Sequence, residues 1–543
     1  MIALPKRFTV PTWASYVLLA LVLWHFLGGA FPFAPIEGDD QAVANGLIAW
    51  LNGWPDYRKL AYGFPIQPGS YFVYQAGLRL SGAAPFQVFG AINLIGALLF
   101  LGLSGKLLAD LTGMRWSWAA LLLLCAQEMS AAWCYANTSS LAGAVMLGGL
   151  LVARSPHTWR AIIGGLLMGL AATLRLDALL IAPACFPLLA DRLGDWKHAA
   201  LTTAIVAFVT AVTLVSFYAA THVSLVEAWQ LYGTRGVSHS WTMLPEMCWL
   251  ALSTLLLVAI VCGVRSLIRT TDLSRLAVIA FGVVPTLAIY GPNFTTTKYL
   301  YYAIPFAMIP AALWLHELAT SPEKKFRRIY QLWIVGAIAE AFLGFRTTAY
   351  LYRRFEYSKT GFELAAANLG TFKLALTVGS GEVIGTADGF RVRTGTWFAP
   401  EVYRREKSDL KTETARLHSL ALFGETEVML TSTYLSNVIL DGELMSRGVH
   451  PELQNPYFPG DHASRTMRWF KSPHALTTLL INHDANDRAH FAVATARSKP
   501  LYFLSDRGWQ EARHLDVRAP SWTCLSPRED GLIELYRRNP NPP

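Results

Sequence analysis

The stretch YVLLALVLWHFLGGAFPF, Tyr16 to Phe33, with Glu37-Gly38-Asp39-Asp40 a few residues beyond it, decides the fold class. An apolar run of that length is about enough to cross the ~30 Å hydrocarbon core of a bilayer. Lys6 and Arg7 precede it with nothing acidic nearby. That bias keeps the N-terminus cytoplasmic and delivers the acidic cluster to the far face. The residues after the run, Phe31-Pro-Phe-Ala-Pro-Ile-Glu37, offer no small-residue cleavage site, so it reads as a retained signal anchor.

Working outward, apolar segments recur at 87–108, 117–135, 138–153, 161–174, 178–190, 199–219, 246–264, 276–291, 300–318 and 330–349. With the first they predict a polytopic α-helical membrane protein of about 11 transmembrane helices. The basic residues test that count independently. Lys106 and Arg115, Arg154 and Arg160, Arg192 and Lys197, Arg265, Arg269 and Arg275, then Lys324, Lys325, Arg327 and Arg328 all fall in alternate loops. Those are the loops that stay cytoplasmic if the N-terminus does.

Composition agrees. Of 543 residues, 53% are hydrophobic and 15% charged, against about 25% charged in soluble domains. The net charge of +9 does not imply nucleic acid, because its cations sit in short loops where orientation explains them. Cys125, Cys134, Cys185, Cys248 and Cys262 lie in apolar segments, and Cys524 stands alone in the polar C-terminal region. That region therefore has no internal disulfide, and no cysteine–histidine spacing suggests zinc.

The composition turns polar at about residue 351. An odd number of spans puts 351–543 on the extracytoplasmic side, as a mixed α/β domain large enough for its own core. Leu374–Val378 and Leu501–Leu504 read as strands and Glu363–Leu369 as helix. Gly379-Ser-Gly381 with Gly385 reads as a turn, since its third glycine is misplaced for a dinucleotide fingerprint. His450, His462, His474, His483 and His490 lack ligand spacing and read as surface residues.

The first external loop, 34–86, is long and patterned. Gln41 to Trp50 carries Val43 and Leu47, with Leu51 just beyond, at helical spacing and is closed by Gly53 and Pro55. It predicts a short helix on the membrane surface whose N-terminal end carries Asp39 and Asp40. A second amphipathic stretch follows Gln67-Pro68, with Tyr71, Tyr74 and Leu78 on one face and Gly82 at its end. Arg58 and Lys59 between them read as head-group contacts.

In this arrangement the chain resembles the GT-C superfamily of membrane glycosyltransferases, which includes the protein O-mannosyltransferases and the lipid A aminoarabinose transferases. The resemblance rests on the order span, acidic pair, helix, Tyr62-Gly-Phe-Pro65-Ile-Gln-Pro68-Gly-Ser-Tyr71, then Leu80-Ser-Gly82 before the next span. Gly169-Leu-Ala-Ala-Thr-Leu-Arg175-Leu-Asp177 and Thr297-Lys298-Tyr299-Leu300-Tyr301-Tyr302-Ala-Ile-Pro305 add two looser matches. It covers residues 1–350. The chain departs from the family's usual pattern at Asp40, Gly69, Asn93 and Asn137-Thr138-Ser139, which leaves the donor sugar and the acceptor unassigned.

The resemblance implies inverting transfer of a sugar from a polyprenyl-phosphate donor to a hydroxyl of a lipid, glycan or protein acceptor, at the outer face of the inner (plasma) membrane. A carboxylate must take the proton of the attacking hydroxyl. Cations must hold the leaving phosphate, which the membrane interior cannot supply. Asp39 is the first choice for the base and Asp40 the second, with Arg175 and Lys298 as phosphate ligands. Tyr299 and Tyr302, with Glu128 and Asp177, would line the cavity. Two adjacent aspartates offer too few oxygens for a hard cation, so neither a metal nor another cofactor is indicated.

Each residue also has a plainer reading. The aspartates can serve only as a helix cap, Arg175 and Asp177 as an ion pair ordering a hairpin, Lys298 and its tyrosines as an interfacial belt, and Glu128 as a packing hydrogen bond. Two other function classes stand against the enzyme. A transporter or flippase of a lipid-linked glycan needs polar residues along a path through the spans, which are scarce here. A non-enzymatic scaffold leaves the acidic first loop without a task.

Overall fold

The computed structural model describes residues 12–30, 38–54, 57–60, 64–83, 85–126, 128–129, 138–228, 251–290 and 297–344, isolated residues 244 and 248, and ten short strands between 350 and 538. The chain opens with α1 (Thr12–Ala30), α2 (Gly38–Leu51), α3 (Tyr57–Leu60), a 3₁₀ turn (Phe64–Ile66) and α4 (Pro68–Ser81). There follow α5 (Pro85–Thr112), α6 (Trp116–Leu124), α7 (Ser139–Ala153), α8 (Thr158–Leu174), a 3₁₀ stretch (Leu176–Ala184) and α9 (Cys185–Leu193). Then come α10 (Trp196–Ala220), α11 (Thr254–Arg269), α12 (Leu273–Tyr290), a 3₁₀ stretch (Thr297–Ala303), α13 (Ile304–Ala307), α14 (Ile309–Thr320) and α15 (Lys324–Gly344).

Four segments are long and apolar enough to cross a membrane: Gln87–Thr112, Trp196–Ala220, Leu273–Tyr290 and Leu300–Thr320. The expected set of about eleven is thus met in full length by four among the described residues. Several expected spans are shorter or broken for identifiable reasons. The one at 178–190 begins as a 3₁₀ stretch containing Pro183 before α9 takes over. That at 300–318 also starts as 3₁₀, and turns at Met308 between Pro305 and Pro310. Proline has no N–H to donate and clashes with the preceding turn. The span at 246–264 is interrupted: residues 251–252 are helical, Ser253 kinks with φ +82°, and the helix resumes at Thr254 and runs on to Arg269.

Cross-links between helix ends show which ends lie together. Arg154, at the end of α7, pairs with Asp191 of α9 at 2.9 Å and with Asp110 of α5 at 3.7 Å. Ser274 at the start of α12 donates to Asp191, and Arg275 Nε donates to the carbonyl of Leu111. These contacts gather the short turns after α5, α7, α9 and α11 at one end of the bundle, which carries most of the basic loop residues. Ser15 of α1 bonds Ser117 of α6 at 2.7 Å, so α1 also starts at this basic end and runs toward the other.

Small residues set how closely the helices approach. A side-chain carbon at Gly149 of α7 would sit 2.8 Å from the carbonyl oxygen of Gly164 on α8, and the converse distance is also 2.8 Å. Close backbone approach of this kind supplies packing between helices that share an apolar solvent.

In the C-terminal region, β1 (Tyr350–Tyr352), β2 (Ile384–Ala387) and β3 (Phe390–Arg393) form one antiparallel sheet in the order β1-β3-β2. β4 (Glu427–Thr431) pairs in parallel with both β7 (Thr477–Leu480) and β8 (Leu501–Asp506). β8 continues antiparallel to β10 (Ile533–Arg538), which pairs with β9 (Trp522–Cys524). The remaining pair is β5 (Pro451–Glu452) with β6 (Trp469–Phe470). The expected strand Leu501–Leu504 falls within β8, while 363–369 and 374–378 lie outside the described residues.

Candidate functional site

The end of the bundle opposite the basic turns is capped by α2, α3 and α4. α2 and α4 occupy the two stretches expected to be helical, and α4 ends on Gly82 in the left-handed conformation (φ +61°). Val43 and Leu47 of α2 are buried with Phe64, with Tyr71, Tyr74 and Leu78 of α4, and with Val88 and Phe89 of α5. Leu51, expected on the same face, is exposed instead, as the last residue of α2. Two further ties fix the loop to the end of α10. Tyr218 donates to the carbonyl of Pro65 at 2.7 Å, and Arg58 donates to that of Thr221 at 2.8 Å while lying over the Phe64 ring. Arg58 thus holds protein backbone at a helix C-terminus, a favourable place for a cation.

The tightest convergence lies where α4 meets α7 and α8. The hydroxyl of Ser70 donates to the carbonyl oxygen of Leu174 at 2.5 Å and lies 2.5 Å from the hydroxyl of Thr138. All of this is buried, and it satisfies a carbonyl that the end of α8 leaves without an intrahelical partner. Gly69 is required beside it, because a side-chain carbon there would fall 2.4 Å from Thr173 Oγ1 and 2.9 Å from the Thr173 backbone.

Arg175 follows directly. Its Nε donates to Asp177 Oδ1 at 3.1 Å and its Nη2 to Oδ2 at 2.9 Å, with side chains only 15% and 4% exposed. The fork-on-carboxylate geometry is the strong form of an ion pair. It is also the hairpin-ordering arrangement expected as the plainer role of these residues. Deeper in, Tyr301 donates to Ser140 at 3.2 Å and stacks on Phe100 and Tyr302. Tyr302 packs against Gly143 of α7, and Glu128 is completely buried.

The expected site residues are therefore gathered unevenly. Arg175 and Asp177 are joined, Tyr302 packs on Tyr301, and Glu128 is fully buried. Asp39 and Asp40 stand in the first turn of α2, and Lys298 and Tyr299 in the 3₁₀ stretch leading to Tyr301. The side chains of those four residues lie outside the described ones. Ser70, Thr138 and Ser140 are the polar residues that sequence reasoning did not single out. The signal was present in the quoted Pro68-Gly-Ser-Tyr71 and in Thr138-Ser139, but serines in apolar surroundings announce no partner. Among the described residues, no group of three His, Cys, Asp or Glu side chains gathers to hold a metal.

The sequence matches no protein-family model and no curated protein. Solved structures do match. The crystal structure of ArnT from Cupriavidus metallidurans in the apo state superposes with a TM-score of 0.51 at 14% identity, over 96% of this chain and 98% of that one. The same protein bound to undecaprenyl phosphate gives 0.50 at 13%, over 97% and 98%. Together with the apolar helices, the likeness makes this chain an integral membrane protein with an ArnT-like fold over nearly its whole length.

Proposed function

We propose that the protein transfers a sugar from a polyprenyl-phosphate donor to a hydroxyl acceptor, at the end of the bundle that carries α2, α4 and Arg175. One observation carries this reading. The loop bearing Asp39 and Asp40 is fastened by Ser70 to the residue preceding Arg175, in a fold shared with a protein solved with undecaprenyl phosphate bound.

In the proposed step the acceptor oxygen attacks the anomeric carbon while Asp39, or Asp40, takes its proton. The bond from that carbon to the phosphate oxygen breaks on the opposite face, so the configuration inverts. The electron pair leaves with the polyprenyl phosphate, whose charge Lys298 and Arg175 stabilise. Arg175 already carries Asp177 as counter-ion, so Lys298 supplies the net positive charge and Arg175 the orientation. Tyr299 and Tyr302, with Glu128, border the sugar. The site faces the extracytoplasmic side of the inner membrane, and the C-terminal region on the same side shapes acceptor access.

Mass spectrometry of lipid-linked glycans and envelope extracts, with and without the gene, tests the reading. The expected result is loss of one sugar of defined mass from the acceptor pool, with accumulation of its polyprenyl-phosphate donor. Asp39→Asn and Asp40→Asn, made singly and together, should insert normally, and the double variant should lower transfer by about 10²–10⁴-fold. Unchanged glycans, or full transfer by the double variant, would overturn it. A flippase would instead move the intact glycan, leaving its mass unaltered.

A further inference from the structure

At the basic end, α8 and α10 pack against each other and run in the same direction, α10 starting about two turns nearer the end. Their register is fixed by Thr210, which donates to the carbonyl oxygen of Gly165 at 3.2 Å. Each start carries a basic–aromatic pair. The Arg160 guanidinium lies 5.1 Å from the centre of the Trp159 ring, and the Lys197 ammonium 5.8 Å from that of Trp196. Both tryptophans are turned outward, 56% and 66% exposed. Arg192, in the last turn of α9, joins the same corner through the tight turn at Gly194.

These three cations differ from the two that tie the helix ends together. Arg154 and Arg275 are spent on carboxylates that tie the helices together. Among the described residues no carboxylate pairs with Arg160, Arg192 or Lys197. Asp191, beside Arg192, is taken by Arg154 and Ser274. Asp195 is taken by the Lys197 backbone N–H at 2.9 Å and the His198 ring at 3.2 Å. The N-terminus of α10 is thereby closed, so what the corner offers a ligand is its side chains.

Above the cations the two helices present apolar surface. Ile162, Leu166 and Leu170 of α8 and Leu201, Phe208 and Val212 of α10 are exposed along successive turns. The register puts Lys197 eight residues nearer the end than Arg160, roughly 12 Å at helical rise. Helical side chains lean toward the N-terminus, so Arg160 reaches into that gap. A ligand matching both parts needs an anionic head several ångströms long and hydrocarbon tails.

We propose that the paired starts of α8 and α10 form a binding site for the phosphate head group of an anionic glycerophospholipid, with its acyl chains lying along the exposed faces of the two helices. Unpaired cations and outward tryptophans spread over the last turns of the basic end suit the interface of a bilayer. The apolar track above them selects a lipid over free phosphate. The site lies at the end opposite Arg175 and is distinct from the donor site.

Native mass spectrometry of the full-length chain in neutral detergent tests it, with phosphatidylglycerol, phosphatidylcholine and inorganic phosphate as probes. Phosphatidylglycerol should be retained at least about tenfold better than phosphatidylcholine, and phosphate should not be retained. Arg160→Gln/Arg192→Gln/Lys197→Gln should abolish most of that preference with an unchanged unfolding temperature in neutral detergent. Lys197→Gln alone should weaken it severalfold, and Arg265→Gln/Arg269→Gln should leave it intact. Equal retention of the two lipids, an unaffected triple or single variant, or equal loss in the Arg265/Arg269 pair would overturn the proposal. Sugar transfer is read separately, so neither result stands in for the other.

Discussion

The hydroxyl of Ser70 donates to the carbonyl oxygen of Leu174 at 2.5 Å, fastening α4 and the loop that carries it to the residue that precedes Arg175. The contact joins residues 104 positions apart. It brings the segment that follows Asp39 and Asp40 against the hairpin that carries the buried ion pair. Any chemistry shared by the loop and the hairpin depends on that junction.

Ser70→Ala should leave the Leu174 carbonyl only the long 3.4 Å bond from the Thr138 hydroxyl. The expected cost is about 0.5–1.5 kcal/mol, the net worth of a typical hydrogen bond. Gly69→Ala should be worse, since the added carbon meets Thr173 backbone and cannot be relieved by a side-chain turn. Thermal unfolding in detergent measures both, and hydrogen exchange over 38–81 should rise in each variant. Unchanged exchange would mean that the junction does not hold the loop.

Asp177→Asn should take from the nearly buried Arg175 the carboxylate that its fork grips. Removing one partner of such a pair costs about 3–5 kcal/mol, whereas replacing both by apolar residues is often neutral. Arg175→Met/Asp177→Leu should therefore regain most of the unfolding temperature lost in Asp177→Asn. If sugar transfer returns with it, Arg175 only orders the hairpin. The proposed phosphate role requires transfer to stay low.

Glu340 of α15 accepts the backbone N–H groups of Thr254 at 2.7 Å and Leu255 at 2.9 Å, capping α11 from another helix. Glu340→Ala should cost about 0.5–2 kcal/mol, the usual range for a lost cap, and increase exchange at those two amides. Ser253, just before them, has φ +82° and ψ 164°, a region that favours glycine. Strain there is on the order of 1–3 kcal/mol, so Ser253→Gly should raise the unfolding temperature. A lower one would show that Ser253 is unstrained.

At the basic end, Asp195 titrates below the usual carboxylate range, first because it accepts the Lys197 N–H and then because of the His198 ring. The folded chain therefore holds this proton less readily than the unfolded chain. Its contribution is complete above the unfolded value of about 3.9 and fades as pH falls through the lower folded value. Exchange at the first amides of α10, followed as pH is lowered below about 4, should accelerate relative to mid-helix amides. Asp195→Asn should remove that pH dependence.

Much of this was legible in the chain. Apolar runs marked α5, α7, α8, α10 and α12 nearly to their ends, because lipid-facing and core-facing residues alike must be apolar. The amphipathic faces of α2 and α4 were readable from spacing, as was the stop at Gly82. The broken helices around Pro183 and between Pro305 and Pro310 were harder. A short apolar segment does not say where a proline will be tolerated, since neighbouring helices decide that.

Sequence by itself determined that this is a helical membrane chain with its cations in alternate loops and an acidic pair after the first span. Hydrophobicity and charge bias act locally, one segment at a time, and need no knowledge of neighbours. Only the tertiary structure decided that Ser70 seeks Leu174, that Asp177 claims Arg175, that Arg154 joins three helices, and that Arg160 and Lys197 meet no carboxylate among the described residues. Those outcomes depend on which helix ends meet. Helix meetings are set by close packing at Gly69, Gly149 and Gly164, where a missing side chain lets two backbones touch.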